Sequence, residues 1–374
     1  MIEHVNKDRI TEEFLKLAAI DSVTKDERKM ADALIGILEE MGYETYEDDA
    51  GEKIGGNTGN IYCDIKGNKD VPGVMLAAHM DTVMPGIGIK PKIEDGYFRS
   101  DGTTVLGADD LAGIVSILEA IRILKDQKCE HGDIQIVFTV AEEGGLYGAK
   151  NIDYSRIYAE QCFVLDSSGQ VGSAAIKAPA QNNITAIIRG KSAHAGLEPE
   201  NGVNAINIAA KAITEMKLGR IDSETTANIG IIHGGIATNI VCDEVEVFAE
   251  ARSRDQNKLN EQSRHMQECF ENAAAQMGGQ VELVCELEYP SFNVPLDSDI
   301  IKTLRSAADC AGLELKLEET GGGSDTNIIN GKGIQAVNLG IGMSKVHTLE
   351  EELLVENLIK SAGFLAAILV NVSK

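Results

Sequence analysis

Several short apolar runs in this chain each end in a charged or imidazole side chain. Val74 to Ala78 runs into His79-Met80-Asp81, Ile134 to Val140 into Ala141-Glu142-Glu143-Gly144-Gly145, and Phe163 to Leu165 into Asp166. Runs this short, alternating with helical patterns such as Leu111 to Leu124, read as buried strands of a mostly parallel α/β sheet with helices on both faces. Open sheets of this kind bind ligands outside the carboxyl ends of their strands. A buried strand that delivers two adjacent carboxylates there needs a cation, because like charges so close repel.

The rest of the chain fits around that sheet. Lys7 to Ile20 puts Ile10, Phe14, Leu17 and Ala18 on one helical face. Asp26 can cap a second helix with the stripe Met30, Ala33, Leu34, Ile37, Leu38 and a stop at Gly42. Ile61 to Ile65 reads as a further strand. The middle changes character: strand Asn182–Arg189, helix Val203–Met216, strands Ala227–Ile232 and Glu244–Ala251, helix Asn257–Met277, strand Gln280–Tyr289. This β-α-β-β-α-β order predicts a ferredoxin-like α+β domain with a four-stranded antiparallel sheet. Pro290 and Pro295 bracket its exit, and helix Asp299–Ala311, strands Leu313–Leu317 and Gln335–Leu339 and helix Glu350–Val372 resume the α/β pattern. The expected organisation is a discontinuous catalytic domain, 1–179 and 290–374, interrupted by a small domain at 180–289.

Composition excludes some partners. Lys plus Arg number 34 against 59 Asp plus Glu, a net charge of −25, which disfavours nucleic acid and anionic membranes. Aromatics make up 4% and Trp is missing, so base-stacking platforms are not expected. The seven cysteines are scattered without a C-x-x-C pair, which argues against both a disulfide framework and a thiolate zinc site. The charged opening MIEHVNKDRITEEFLK has no signal-peptide core, and the longest apolar run, Phe364 to Val370, is too short to span a bilayer. A soluble, cytoplasmic protein is expected.

Taken singly, the chemical residues are unremarkable. His79-x-Asp81 can be a surface turn, although i and i+2 share a strand face and Asp81 can hold the His79 ring. One of Asp109 and Asp110 can simply cap the helix that follows. Lys345-Val346-His347-Thr348 follows a strand and a glycine-rich turn. Together, His79, Asp109, Glu143, Asp166 and His347 all fall at strand ends or in adjacent loops, and the open-sheet rule makes them converge. Two imidazoles and three carboxylates suit a pair of first-row ions, zinc first. Two divalent ions exceed the three carboxylate charges by one, which a hydroxide balances, and that hydroxide is a nucleophile available at neutral pH.

The ordered segments AAHMDTV, GADDLAG, AEEGG, LDSSG, SAHAG, GGGSDTN and VHTLEE resemble the dinuclear zinc exopeptidases over essentially the whole chain, most closely the peptidase T branch. The resemblance implies that His79 and Asp166 bind one zinc, Glu143 and His347 the other, and Asp109 bridges them, with Co2+ or Mn2+ as substitutes in vitro. It further implies that Asp81 orients His79, that Glu142 is the general base, and that a cis peptide joins Asp109 to Asp110. In the inserted lid domain His194 would polarise the scissile carbonyl, reaching the metals by lid closure or from a dimer mate. Asn239 and Arg252 of the lid, and the turn Gly322-Gly323-Ser324, would bind substrate. Leu111 and Cys242 depart from the Lys and Pro common in relatives, which loosens the transfer of substrate preference. The expected activity is removal of N-terminal residues from short peptides, tripeptides foremost, with the lid mediating a homodimer. Carboxypeptidase or N-acyl-amino-acid deacylase chemistry on the same metals is the alternative. A noncatalytic metal-binding protein is a weaker one, since Glu142 and all five ligands are retained.

Overall fold

In the computed structural model, which describes residues 1–372, the apolar runs become the middle of a sheet and the amphipathic runs become helices packed around it. The principal elements are α1 (Lys7–Ala18), α2 (Arg28–Glu40), β1 (Ile61–Ile65), β2 (Val74–His79), α3 (Ala108–Gln127), β3 (Ile134–Thr139) and β4 (Gln161–Ser167). They continue with β5 (Ala180–Arg189), α4 (Ala205–Glu215), β6 (Thr225–Gly234), β7 (Glu244–Ser253), α5 (Gln256–Met277) and β8 (Gln280–Tyr289). The chain closes with α6 (Asp299–Ala311), α7 (Asp325–Gly331), β9 (Gln335–Gly340) and α8 (Val355–Val370). Two compact units result. The first holds Met1–Ile176, Asn293–Glu319 and the chain from Ser324 onward; the second holds Lys177–Phe292 with Thr320–Gly323.

In the first unit the central strands run in the order β1-β3-β2-β4-β9. β3, β2, β4 and β9 are parallel, and β1 is antiparallel to β3. Every residue of β2 and β3 is buried, including Gln135 and Thr139 of β3, so neither strand shows the alternation of a one-sided sheet. Register sets up the site. His79 pairs with Thr139, and Ala77 with Val164, so carrying the latter two residues further brings Asp166 level with His79. The acids that follow β3 emerge at the same rim.

Helix α3 is buried nearly all round and packs against α1 and α8, so its sequence shows no clean stripe. Its start lies close against the end of β4. A Cβ at Gly113 would overlap the Asp110 carboxylate and the Leu165 carbonyl, so only glycine permits this approach.

The second unit has the strand order β6-β7-β5-β8, antiparallel throughout, and the two-residue strand Gly219–Arg220 on the outer side of β6 makes its sheet five-stranded rather than the expected four. Ile184, Ala186, Ile188, Val245 and Val247 face α4 and α5, where they meet Ile208, Ala212, Met266 and Phe270. The alternate positions, including Asn183, Thr185, Glu250 and Arg252, form an open polar face. The mostly parallel α/β sheet and the ferredoxin-like α+β unit match the expected fold class.

Three expectations need correction. The strand placed at Leu313–Leu317 is Lys316–Glu319. Glu27, not Asp26, stands at the start of α2, and the Asp26 carboxylate accepts the Asn57 amide instead. The last helix starts at Val355, not Glu350, because Glu352–Leu354 forms a strand against Tyr97–Arg99. That strand belongs to a small sheet with Lys92–Glu94, whose three residues are all exposed and too few to show a strand pattern. Among the described residues no helix is long and apolar enough to cross a membrane.

Candidate active site and metal centre

Five segments of the first unit supply the site: the end of β2, the start of α3, the turn after β3, the end of β4, and the loop that follows β9. His79 Nε2 lies 3.2 Å from Asp109 Oδ1 and 3.9 Å from Asp166 Oδ1. His347 Nε2 lies 2.7 Å from Glu143 Oε1 and 3.3 Å from Asp109 Oδ2. Asp109 therefore turns one oxygen toward each imidazole. Two donor sets, His79-Asp109-Asp166 and Asp109-Glu143-His347, each have their ligand atoms within 4.8 Å of one another and share Asp109. His79, Glu142 and Glu143 make a third such set.

The neighbouring acids divide their work. Asp110 Oδ1 accepts the Gly113 N–H at 3.2 Å and Oδ2 accepts the His79 N–H at 3.2 Å, so Asp110 ties the helix start to β2 while Asp109 faces the imidazoles. The peptide between them is cis. Asp81 meets the His79 ring through two groups. The His79 Nδ1–H donates to the Asp81 backbone carbonyl at 2.8 Å, with the carboxylate farther off at 3.4 Å. This leaves Nε2 of the neutral ring free to act as a ligand atom. The Asp81 carboxylate instead accepts the N–H groups of Glu142 at 2.9 Å and Glu143 at 3.2 Å, and the Thr24 hydroxyl at 2.8 Å. It fixes the backbone that carries both glutamates.

Sequence reasoning missed Glu351. Its buried carboxylate accepts N–H groups from Leu106 at 2.8 Å, Gly107 at 2.9 Å and Asp109 at 3.2 Å. The signal was there, a second acid in VHTLEE, but a helix was expected to begin at its neighbour Glu350. Asp325 of GGGSDTN was missed as well: it is buried and accepts the Thr139 hydroxyl at 2.6 Å.

Burial dominates the electrostatics. It pushes the Glu142 carboxyl well above the usual range, helped by Asp325 and Glu143, and does the same to Asp166, helped by Asp109 and Glu142. Burial also works against ionised Asp109, but its bonds to His347 and His79 outweigh this and hold it below the usual range. His347 is pushed up to about 10 by its bonds to Asp109 and Glu143. Burial disfavours a charged His79, yet Asp109 and Asp81 hold its pKa well above the ordinary value. Metal ligands must be deprotonated. Carboxylates packed this closely can all be ionised only around compensating cations, and mixed imidazole–carboxylate donors fit divalent ones.

Of the remaining predicted residues, all but Ser324 belong to the second unit. His194 sits in an exposed turn of the second unit, where Nδ1 accepts the N–H groups of Gly196 at 3.1 Å and Leu197 at 3.2 Å. In the neutral ring the proton is thus on Nε2, which makes that atom a donor. Exposed Asn239 is adjacent, its carbonyl accepting the Ala195 N–H at 3.0 Å. Arg252 lies on the open sheet face. Gly323 makes room for the Tyr289 ring, which a Cβ would overlap, and Gly322 precedes it in the same turn. Ser324, in the first unit, spends its hydroxyl on capping α7, accepting the Thr326 N–H at 3.3 Å.

A match to Peptidase family M20/M25/M40 spans residues 75–371. The chain is 46% identical over 370 residues to the uncharacterised protein YqjE of Bacillus subtilis strain 168, covering 99% of this chain and 100% of that one. The crystal structure of aminopeptidase PepT from Bacillus cereus ATCC 10987 superposes with a TM-score of 0.91 at 47% identity, covering 99% of this chain and 100% of that one. A tripeptidase from Staphylococcus aureus Mu50 superposes with a TM-score of 0.94 at 42% identity, covering 98% and 99% respectively. The shared fold, the family match and the carboxylate–imidazole cluster lead to one assignment: the chain is a hydrolase of Peptidase family M20/M25/M40.

Proposed function

We propose that this chain is a dinuclear zinc aminopeptidase that removes the N-terminal residue of short peptides, tripeptides foremost. The observation that carries the reading is Asp109, one buried carboxylate shared by two donor sets, with Glu142 buried beside them. The names of the Bacillus cereus and Staphylococcus aureus relatives support the aminopeptidase and tripeptide parts.

His79 and Asp166 would hold one ion, Glu143 and His347 the other, and Asp109 would serve both. Zinc is favoured by the mixed nitrogen and oxygen donors. When bound, the metals supply Lewis acidity and bring the pKa of water toward neutrality. Glu142 moves the proton. With its carboxyl raised by burial and neighbouring acids, it takes a proton from the attacking water and returns it to the leaving amine. Asp81 keeps Glu142 in place through the backbone. His194 donates from Nε2 to the oxygen on which negative charge develops. Asn239 orients the peptide and Arg252 grips its C-terminal carboxylate. Gly322 and Gly323 shape the turn beside Tyr289, and Ser324 caps α7.

Two further parts of the reading concern setting. Seven free cysteines suit a reducing cytoplasm. The stretch Asn228–Gly234 of β6 has no outer strand partner among the described residues and exposes Ile231 and Ile232, which favours pairing with a second copy.

The test is hydrolysis of di-, tri- and tetrapeptides, free, N-acetylated and C-amidated, by zinc-loaded enzyme. Release of the first residue from free tripeptides, with little cleavage of N-acetylated ones, is the expected result. Preferential release of the last residue, or of acetate, would replace the aminopeptidase reading by carboxypeptidase or deacylase chemistry.

A further inference from the structure

The open face of the second unit carries a guanidinium that is satisfied along one edge only. Arg252 follows Glu250 by two residues in β7, so both side chains point away from α4 and α5. Nε donates to Glu250 Oε1 at 3.0 Å and Nη2 to Oε2 at 2.8 Å. These bonds occupy the side edge of the fork. Among the described residues nothing pairs with Nη1, so the end edge, formed by Nη1 and the outer Nη2 hydrogen, stays open. The side chain is only 28% exposed. A guanidinium fixed along its side edge, with its end edge open, presents a planar pair of donors whose geometry matches a carboxylate.

The surroundings hold the arginine from below. It lies between Gln181 of β5 and Thr226 of β6 in register, and Gln181 in turn pairs with Tyr289 of β8. The Tyr289 hydroxyl donates to Gln181 Oε1 at 2.8 Å. The ring of Tyr289 occupies the room left by Gly323. Three neighbouring strands thus build a polar floor on which the Arg252 fork has one free direction.

We infer that Glu250 is a positioning residue that clamps Arg252 by its side edge and aims the end edge at the C-terminal carboxylate of the peptide substrate. The inference rests on the reading of Arg252 given above. Glu250 also cancels the net charge of the pair. It therefore weakens attraction for anions in general and leaves selectivity to the planar two-point match. Arg252 without its clamp would keep its charge and lose its direction.

The experiment measures kcat and KM for one tripeptide and its C-terminal amide in the wild type, Arg252→Met and Glu250→Gln, with folding checked by circular dichroism. The wild type is expected to favour the acid, and Arg252→Met to abolish that preference. Glu250→Gln is expected to raise the acid-to-amide ratio of KM about tenfold, the scale of a lost charge-assisted bond. A lower ratio would show that Glu250 competes with substrate and would overturn the inference. So would an unchanged ratio in a variant that folds. If Arg252→Met keeps the preference for the acid, the reading of Arg252 itself fails. If Glu250→Gln does not fold, Glu250→Asp, which keeps the charge and shortens the reach, must raise the same ratio for the inference to stand.

Discussion

In the first unit the candidate groups, the exposed His347 apart, are buried or partly buried and anchored by backbone; in the second they are exposed or half-exposed and held by short local bonds. His79, Asp109, Asp166 and Glu143 take their places from strand register and from the N–H groups that Asp81, Asp110 and Glu351 accept. His194 and Arg252 are held by residues two or three positions away in the chain. The difference follows from what each must do. Burying several carboxylates together is costly, so a fold that does it must fix them closely and supply a cation. A donor that meets a substrate must stay accessible, and tight burial would defeat it.

The largest effect should come from the shared carboxylate. Asp109→Asn should strip both ions and abolish turnover, because each donor set loses a member. Metal content after dialysis checks this, and retention of two ions would refute the bridging assignment. Next comes His194→Ala, expected to lower kcat by roughly 10²–10³-fold, as for an oxyanion donor, with metal content unchanged. A loss of metal instead would erase the contrast between the units.

Glu351→Gln sharpens the comparison from within the first unit. Replacing one acceptor oxygen by an amide sets a donor against the N–H groups of Leu106, Gly107 or Asp109. Metal affinity should fall by about 10–100-fold, the range for residues that orient ligands. Zinc titration by calorimetry measures it, and unchanged affinity would leave Glu351 with a folding role only. The smallest effect is expected at Gly113. Gly113→Ala crowds Asp110 and Leu165 and should destabilise the protein by about 1–3 kcal/mol, read as a lowered Tm, while a zinc-saturated sample keeps most of its activity. No change in Tm would mean that the helix start can move aside freely.

Legibility in the sequence followed the same division. The ends of β2, β3 and β4 could be read because mainly apolar runs stop there at His79, at Glu142-Glu143 and at Asp166. The second unit could be read as a fold, since its strands alternate and its helices are amphipathic. Hydrogen bonds from side chain to distant backbone left no trace. Nothing in the spacing of Asp81 predicts that its carboxylate holds the Glu142 and Glu143 N–H groups while its carbonyl holds the ring. Glu351 was hidden because a run of acids beside an apolar run looks like a helix start, and the strand Glu352–Leu354 is fixed by partners elsewhere in the chain, Tyr97–Arg99 among them. The fork of Arg252 could be matched to a carboxylate from the sequence, but the edge it leaves open could not.

The central claim is that adjacent glutamates do different work, Glu142 moving protons and Glu143 binding metal. The direct measurement is zinc stoichiometry together with turnover at saturating substrate, for Glu142→Gln and Glu143→Gln at several zinc concentrations. Glu142→Gln should keep both ions and lose at least the roughly 10²–10⁴-fold in kcat typical of general acid–base catalysis. Glu143→Gln should bind its second ion weakly and regain part of its activity as zinc is raised. Loss of an ion in Glu142→Gln, with both ions retained in Glu143→Gln, would reverse the assignments. Full activity in both variants would contradict the account.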